Sequence, residues 1–179
     1  MSATQYIPDA EFAPAPTGTR VRLATLVSAV VVLFATTVAF VLIVRDHNPP
    51  PGLVVGAIGV IPIGFGLGWL TARIRRYRLV GDELRIALQY RTLRFPLAGL
   101  VSAAADREAM RGAWKVYGDG GLAAISGRYR SKRLGSFRAY LTDSEHAVVL
   151  RWPDRCLVIS PQQHSFFVET VCKRAGLPR

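Results

Sequence analysis

Residues 155–178 read RCLVISPQQHSFFVETVCKRAGLP, a short apolar strand running directly into an amphipathic helix. The strand is expected at 155–159. Ser160 then stands as N-cap, Pro161 takes the first helical position, where its missing N–H costs nothing, and Gln163 completes a capping box. Phe167, Val168, Val171 and Cys172 recur at helical spacing and form one apolar face. Lys173 and Arg174 complement the C-terminal dipole, and Gly176 with Pro178 ends the helix. Such a helix must cover an open end of the strands before it.

Working back from that helix, the chain reads as a meander. Strands are expected at 137–141 and 147–150 around Thr142-Asp143-Ser144-Glu145-His146, and Trp152-Pro153-Asp154 turns the chain into 155–159. Residues 77–80, the turn Gly81-Asp82-Glu83 and residues 84–88 predict a hairpin. Residues 92–95 form another short strand, 118–121 (Gly-Asp-Gly-Gly) a turn, and 97–105 reads equally as strand or helix. The expected α+β domain covers 77–179: about seven antiparallel strands in a bent sheet or partly open barrel, capped by the helix.

Upstream the pattern changes. The chain is half hydrophobic, with a mean hydropathy of +0.24, and the apolar residues crowd into two charge-free stretches, 23–44 and 51–72. At about 1.5 Å per residue each makes a helix near 33 Å, matched to a hydrocarbon core of ~30 Å. Only residues 45–50 separate them, so residues 20–76 are expected to form a transmembrane hairpin, with Pro49, Pro50 and Pro51 stopping the first helix and Pro62 kinking the second. The first stretch is too long for the apolar core of a signal peptide. Gly52/Gly56 and Gly64/Gly68 have the spacing of close-packing helix faces, best read as packing within the hairpin. Neither stretch carries an ionisable group, which argues against a transporter or channel. Residues 1–19 read as a flexible tail.

Arg20 and Arg22 precede the first stretch, Arg45 alone lies between the two, and Arg73, Arg75, Arg76 and Arg78 follow the second. By the positive-inside rule both termini face the cytoplasm, in a multi-pass membrane protein. Residues 73–179 hold 20 Lys+Arg against 9 Asp+Glu, and residues 1–72 hold 3 of each. The net charge of +11 therefore lies in the cytoplasmic part. Cys156 and Cys172 have neither redox nor metal-ligand spacing and read as reduced core residues.

Residues 77–172 resemble the bacterial PH-domain proteins, small chains in which one or two N-terminal helices precede a pleckstrin-homology-like domain. The matching residues are the opening hairpin, Trp114 with Gly118, Gly120 and Gly121, Gly127 before Tyr129, then Gly135, Phe137, Tyr140-Leu141-Thr142, and finally Val158-Ile159-Ser160-Pro161 before Phe166 and Phe167. The resemblance implies the fold, a bacterial inner-membrane location and a non-enzymatic scaffold role. In phosphoinositide-binding PH domains the first hairpin loop is basic. The equivalent turn here, Gly81-Asp82-Glu83, is acidic.

The candidate site is the basic run Arg128-Tyr129-Arg130-Ser131-Lys132-Arg133 with Arg138, which reads equally as an anion-holding face and as a solvated hairpin. Each Lys or Arg near an anionic membrane contributes about 1 kcal/mol. With Arg75, Arg76 and their neighbours it would hold the domain flat against anionic lipid headgroups, or else meet an acidic protein partner. Nucleic acid is the weaker reading, because no binding motif accompanies the charge. His146 and His164 have no nucleophile or metal-ligand spacing, no phosphate loop or cofactor motif appears, and Trp114 and Trp152 read as core or sheet-end residues, so no enzyme is expected. The expected function is a membrane-anchored interaction module. The alternative is an accessory subunit of a larger membrane complex, recognised through its helices.

Overall fold

A computed structural model describes residues 9–45, 50–71, 73–120 and 122–177. The expected connection at 46–49, the first eight residues of the tail, Gly121 and Pro178 lie outside the described residues. Hydrophobic residues at period two make the expected hairpin: Tyr77 and Leu79 on one strand and Leu84, Ile86 and Leu88 on the next are buried. These strands, β2 (Ile74–Val80) and β3 (Glu83–Leu88), join β1 (Ala10–Phe12) and β4 (Thr92–Pro96) in an antiparallel sheet of order β1-β2-β3-β4. A bulge between Ile74 and Arg76 turns Arg75 out of the alternation.

The second sheet has six strands, β5 (Ser102–Ala105), β6 (Trp114–Gly120), β7 (Ile125–Ser131), β8 (Gly135–Leu141), β9 (Val148–Arg151) and β10 (Cys156–Ile159), in the order β5-β9-β10-β8-β7-β6. Residues 97–105 thus resolve into a turn and strand β5. The expected all-antiparallel meander is corrected at one place, because β10 inserts between β9 and β8 and runs parallel to β8. Both faces of this sheet's central strands, β8, β9 and β10, are buried. One packs on the first sheet and on helix α4 (His164–Ala175) through Leu150, Leu157, Ile159, Phe167 and Val171. The other packs Tyr129, Phe137, Leu141, Val149 and Val158 under Ala109, Met110 and Ala113. Val148-Val149-Leu150 and Leu157-Val158-Ile159 are therefore unbroken apolar runs, as strands covered on both sides must be.

Three local expectations give way to tertiary contacts. Helix α4 begins at His164, and its cap, Gln163, makes no side-chain cap bond. Ser160 is instead buried at the end of β10, where its Oγ accepts the Thr142 N–H at 2.8 Å. The hydroxyl serves the neighbouring strand end, so the capping box does not form. At the other end Gly176 caps the helix in the left-handed region, at φ 67°, as expected. The glycine-rich stretch at 118–121 is not a turn up to Gly120, because Gly118 pairs with Gly127 inside the β6–β7 ladder. A Cβ at either would collide with the partner backbone, so these glycines permit close approach and do not break the strand.

The tail expected at 1–19 is not free over its described part. Ala10–Phe12 pair with β2, Phe12 packs its ring on Phe166 and Phe167 at 5.8 and 5.0 Å, and the Ala15 N–H donates to the Ser160 carbonyl at 2.8 Å. A capacity for strand pairing does not show in three residues of sequence.

One described helix is long and apolar enough to cross a membrane: α1, Thr19–Arg45. The second stretch, expected as one span kinked at Pro62, is not one uninterrupted α-helix. It comprises α2 (Pro51–Val55), a π-helical turn (Gly56–Val60) and α3 (Ile61–Thr71), all alongside α1. The π turn lies just ahead of Pro62, whose ring cannot accept a regular preceding turn. The glycines do not pack within the pair as expected, since a Cβ on Gly52, Gly56, Gly64 or Gly68 would meet nothing within 4 Å.

Candidate functional site

Alternation along β7 and β8 decides which of the basic residues meet. Arg128 and Arg138 are register partners and both exposed. Like charges directly opposite each other destabilise a sheet, so the fold gains nothing from the pair. Their face is the one that packs on the first sheet, but that sheet stops short at β4. The gap holds two adjoining cavities. One, about 480 Å³, lies between Arg94 and Phe95 of β4 and Arg128, Arg138, Arg155 and Leu157. The other, about 460 Å³, lies between Arg91 and Leu93 and Val116, Tyr117, Arg128 and Arg138. Arg91, Arg94, Arg128 and Arg138 make no ion pair among the described residues. Arg155 lies over the Trp152 ring and 3.9 Å from Asp154. Asp154 also lines the first cavity, against five arginines over the two, and a concavity walled mainly by one sign of charge focuses its field on an anionic ligand.

The basic run of the sequence is thereby divided. Arg128 and Arg138 enter this cleft. Lys132 and Arg133 sit in the far turn beside Glu108, Arg111 and Trp114, and Arg133 is ion-paired with Asp106. Arg130 stands opposite Trp114 and Ser136. Sequence reasoning missed Arg91, Arg94 and Arg155, because nothing local marks them as neighbours of Arg128 and Arg138, two or three strands away in the chain. The only available signal was their number: three further arginines without nearby acids, Asp154 excepted.

A second hollow, of about 790 Å³, lies where the helices meet the domain, between Arg22, Thr25 and Leu26 of α1, Trp69 of α3, and Arg73, Arg75 and Gln89. Here the arginines are held. The Arg73 guanidinium stacks 3.9 Å from the centre of the Trp69 ring, and Arg75 Nε donates to Gln89 Oε1 at 2.9 Å. Arg76 and Arg78, expected beside them, are drawn away by Glu11, at 2.6 and 2.7 Å. Those bonds hold the Glu11 carboxyl below the usual carboxylate range, the Arg78 hydrogen bond contributing most.

Between the hollows runs a buried polar knot. The Tyr77 hydroxyl donates to the Tyr140 carbonyl at 2.9 Å and accepts from the Ser160 N–H at 3.3 Å, and the Thr142 hydroxyl donates to the Ala15 carbonyl at 2.6 Å. Burial pushes the Tyr77 phenol up to about 12. The motifs Tyr140-Leu141-Thr142 and Ile159-Ser160-Pro161 are thus the adjacent ends of parallel strands.

His146 and His164, far apart in sequence, come together with ring centroids 5.5 Å apart, and His146 Nδ1 lies 2.7 Å from Asp143 Oδ2. Among the described residues no three His, Cys, Asp or Glu gather as a metal site. Burial raises the Cys156 thiol pKa, against the pull of Arg151, so it is no ready nucleophile.

The family profile for the bacterial PH domain matches residues 75–175, from the second residue of β2 to the end of α4. No curated protein and no solved structure matches the chain.

Proposed function

The chain belongs to the bacterial PH-domain family, and on that premise we propose that it is a membrane-anchored interaction module whose sheet domain rests on the anionic cytoplasmic face of the membrane. PH domains are generally non-catalytic interaction modules. The observation that carries the anchoring is the pairing of β1 with β2. One strand precedes α1, the other follows α3, and both belong to one domain. A chain whose flanks meet in one domain keeps both on one side of a membrane and crosses it an even number of times. If α1 spans, the segment from Pro51 to Thr71 returns, and its helical length of roughly 30 Å suffices.

The exposed side chains of α1 support the same reading. Leu33 and Phe34 are 68% and 70% exposed, and leaving such side chains in water forfeits about 1.5–3 kcal/mol each. Hydrocarbon is the solvent that suits them. Removal of α1 as a leader would strip β1 and Phe12 from the core. Arg20, Arg22, Arg73 and Arg75 at the helix mouth favour the cytoplasmic side, and Trp69 has the amphipathic ring of an interface anchor. The mouth hollow then lies at headgroup depth, where its arginines favour anionic lipid. One observation favours the second reading, an accessory subunit recognised through its helices: a Cβ at Gly52 or Gly64 would meet nothing within 4 Å, which leaves room for a partner helix to approach closely.

Cysteine labelling of intact cells tests the proposal, in a chain with Cys156 and Cys172 replaced by Ala. Asn48→Cys is expected to react with an impermeant reagent from outside and Pro178→Cys only after lysis. The reverse pattern overturns the orientation, and a shortened chain of unanchored mass overturns the anchor.

A further inference from the structure

The sheets are unequal: four strands face six. Beyond β4 the first sheet has no further strand among the described residues, so the outward backbone groups of Thr92 and Arg94 lack a strand partner, whereas Pro96 has no N–H and its carbonyl accepts from Trp152 Nε1 at 3.1 Å; β7 and β6 of the second sheet project past this edge. The two cavities lie in line along this edge, and their shared wall is the Arg128–Arg138 pair. Opposite β4, Tyr117 is 81% and Val116 56% exposed. The gap is the place a fifth strand of the first sheet would occupy.

We propose that the β4 edge accepts an extended acidic segment of a partner protein as that fifth strand. A strand added about 4.8 Å from β4 turns alternate side chains toward a sheet stacked ~10 Å away. That distance is the combined reach of a glutamate and an arginine, so carboxylates at every second position meet Arg128 and Arg138. The backbone supplies the pairing and the arginines supply the selection. Arginine suits this role because its planar fork binds carboxylates bidentately. Charges on an edge strand also guard it against self-pairing, but guarding needs no arginines on the facing sheet. A bilayer surface cannot enter a gap between two sheets, and a small anion would leave the β4 edge unused.

The inference rests on reading the domain as an interaction module and not on the orientation of the anchor, which the labelling experiment reads separately. The test uses the full chain in nanodiscs of neutral lipid and a fluorescent ten-residue peptide of alternating Glu and Thr. Binding at low salt is expected. It should weaken at least tenfold when alternate peptide nitrogens are methylated, and at least tenfold in the Arg128→Gln/Arg138→Gln variant. An Arg73→Gln/Arg75→Gln variant should bind as the parent does. Amide exchange at Thr92 and Arg94, whose N–H groups face away from β3, should slow on binding. The Arg128→Gln/Arg138→Gln variant should be no less stable than the parent, since it relieves a like-charge pair. Equal binding of the methylated peptide, unchanged exchange along β4, or no binding at low salt would each overturn the proposal.

Discussion

The mouth hollow and the inter-sheet cleft are both lined by arginines, but the partners given to Arg73 and Arg75 at the mouth have no counterpart at Arg128 and Arg138 in the cleft, where Arg155 is the arginine held, by Trp152 and Asp154. Arg73 rests on Trp69 and Arg75 on Gln89, whereas Arg128 and Arg138 face each other across a ladder at a cost to the sheet. A cation held by its own protein contributes to position and topology. A cation held against another cation is available to a ligand. The difference teaches that net charge alone, +11 here, is a poor guide to a binding site, and that the pairing state of each arginine is the better one.

The comparison can be broken most strongly at the wall of the mouth, which includes Pro14, Ala15 and Thr17. Phe12→Ala removes the aromatic packing that holds this segment on the domain and is expected to cost about 3–5 kcal/mol, read by chemical denaturation in detergent. In the surviving folded fraction the cleft should be unaltered, so a loss of peptide binding in that fraction would show the hollows to be one site.

Tyr77 tests the knot between them. Its folded pKa, pushed up to about 12, exceeds an unfolded value near 10. The neutral phenol's contribution is therefore whole below pH 10 and is lost as the pH rises toward 12, by up to about 2–3 kcal/mol. Denaturation from pH 9 to 12 should show this slope in the parent and lose it in Tyr77→Phe. That variant should also be about 1–3 kcal/mol less stable at neutral pH, because the Tyr140 carbonyl and Ser160 N–H lose their partner. Equal slopes in the two proteins would contradict the assignment.

Next in size is the cleft floor. Gly127→Ala places a Cβ against the Tyr117 carbonyl at a φ of 137° and should cost about 1–3 kcal/mol. It should splay β6 from β7 and weaken cleft binding more than lipid association. Arg73→Gln with Arg75→Gln should do the opposite. Each loses about 1 kcal/mol of attraction to an anionic leaflet, visible as reduced tryptophan-to-lipid energy transfer in nanodiscs of anionic lipid, with the cleft unaffected. The smallest effect belongs to Gly64→Ala and Gly68→Ala, expected within about 0.5 kcal/mol of the parent, since a Cβ added at either position would meet nothing within 4 Å. A loss above 1 kcal/mol would mean that these glycines pack on α1 after all.

Much of the fold was legible because local pattern and burial agreed. The β2–β3 hairpin, strand β4, the apolar face of α4 and its glycine end follow from period two, period 3.6 and backbone chemistry within a few residues. Legibility failed where a residue answered to a distant partner. Ser160 reads as a helix cap until Thr142 claims its hydroxyl, Gly118 and Gly120 read as a turn until β7 lies beside them, and Ala10–Phe12 read as tail until β2 offers an edge. The candidate site was half legible for the same reason. Arg128 and Arg138 stood out in a basic run, but Lys132 and Arg133 of that run sit in the far turn, and Arg91, Arg94 and Arg155 join only through folding.

By itself the sequence determined that two apolar stretches precede a basic, strand-rich domain closed by one helix, because hydrophobic periodicity and charge are properties of neighbouring residues. Only the tertiary structure decided that the segment before α1 belongs to the domain after α3, that β10 inserts parallel to β8, and that the first sheet has four strands against the second's six. Those facts depend on which strand edges meet across long separations, and backbone hydrogen bonding, being the same for every residue, leaves no mark in the sequence to say so.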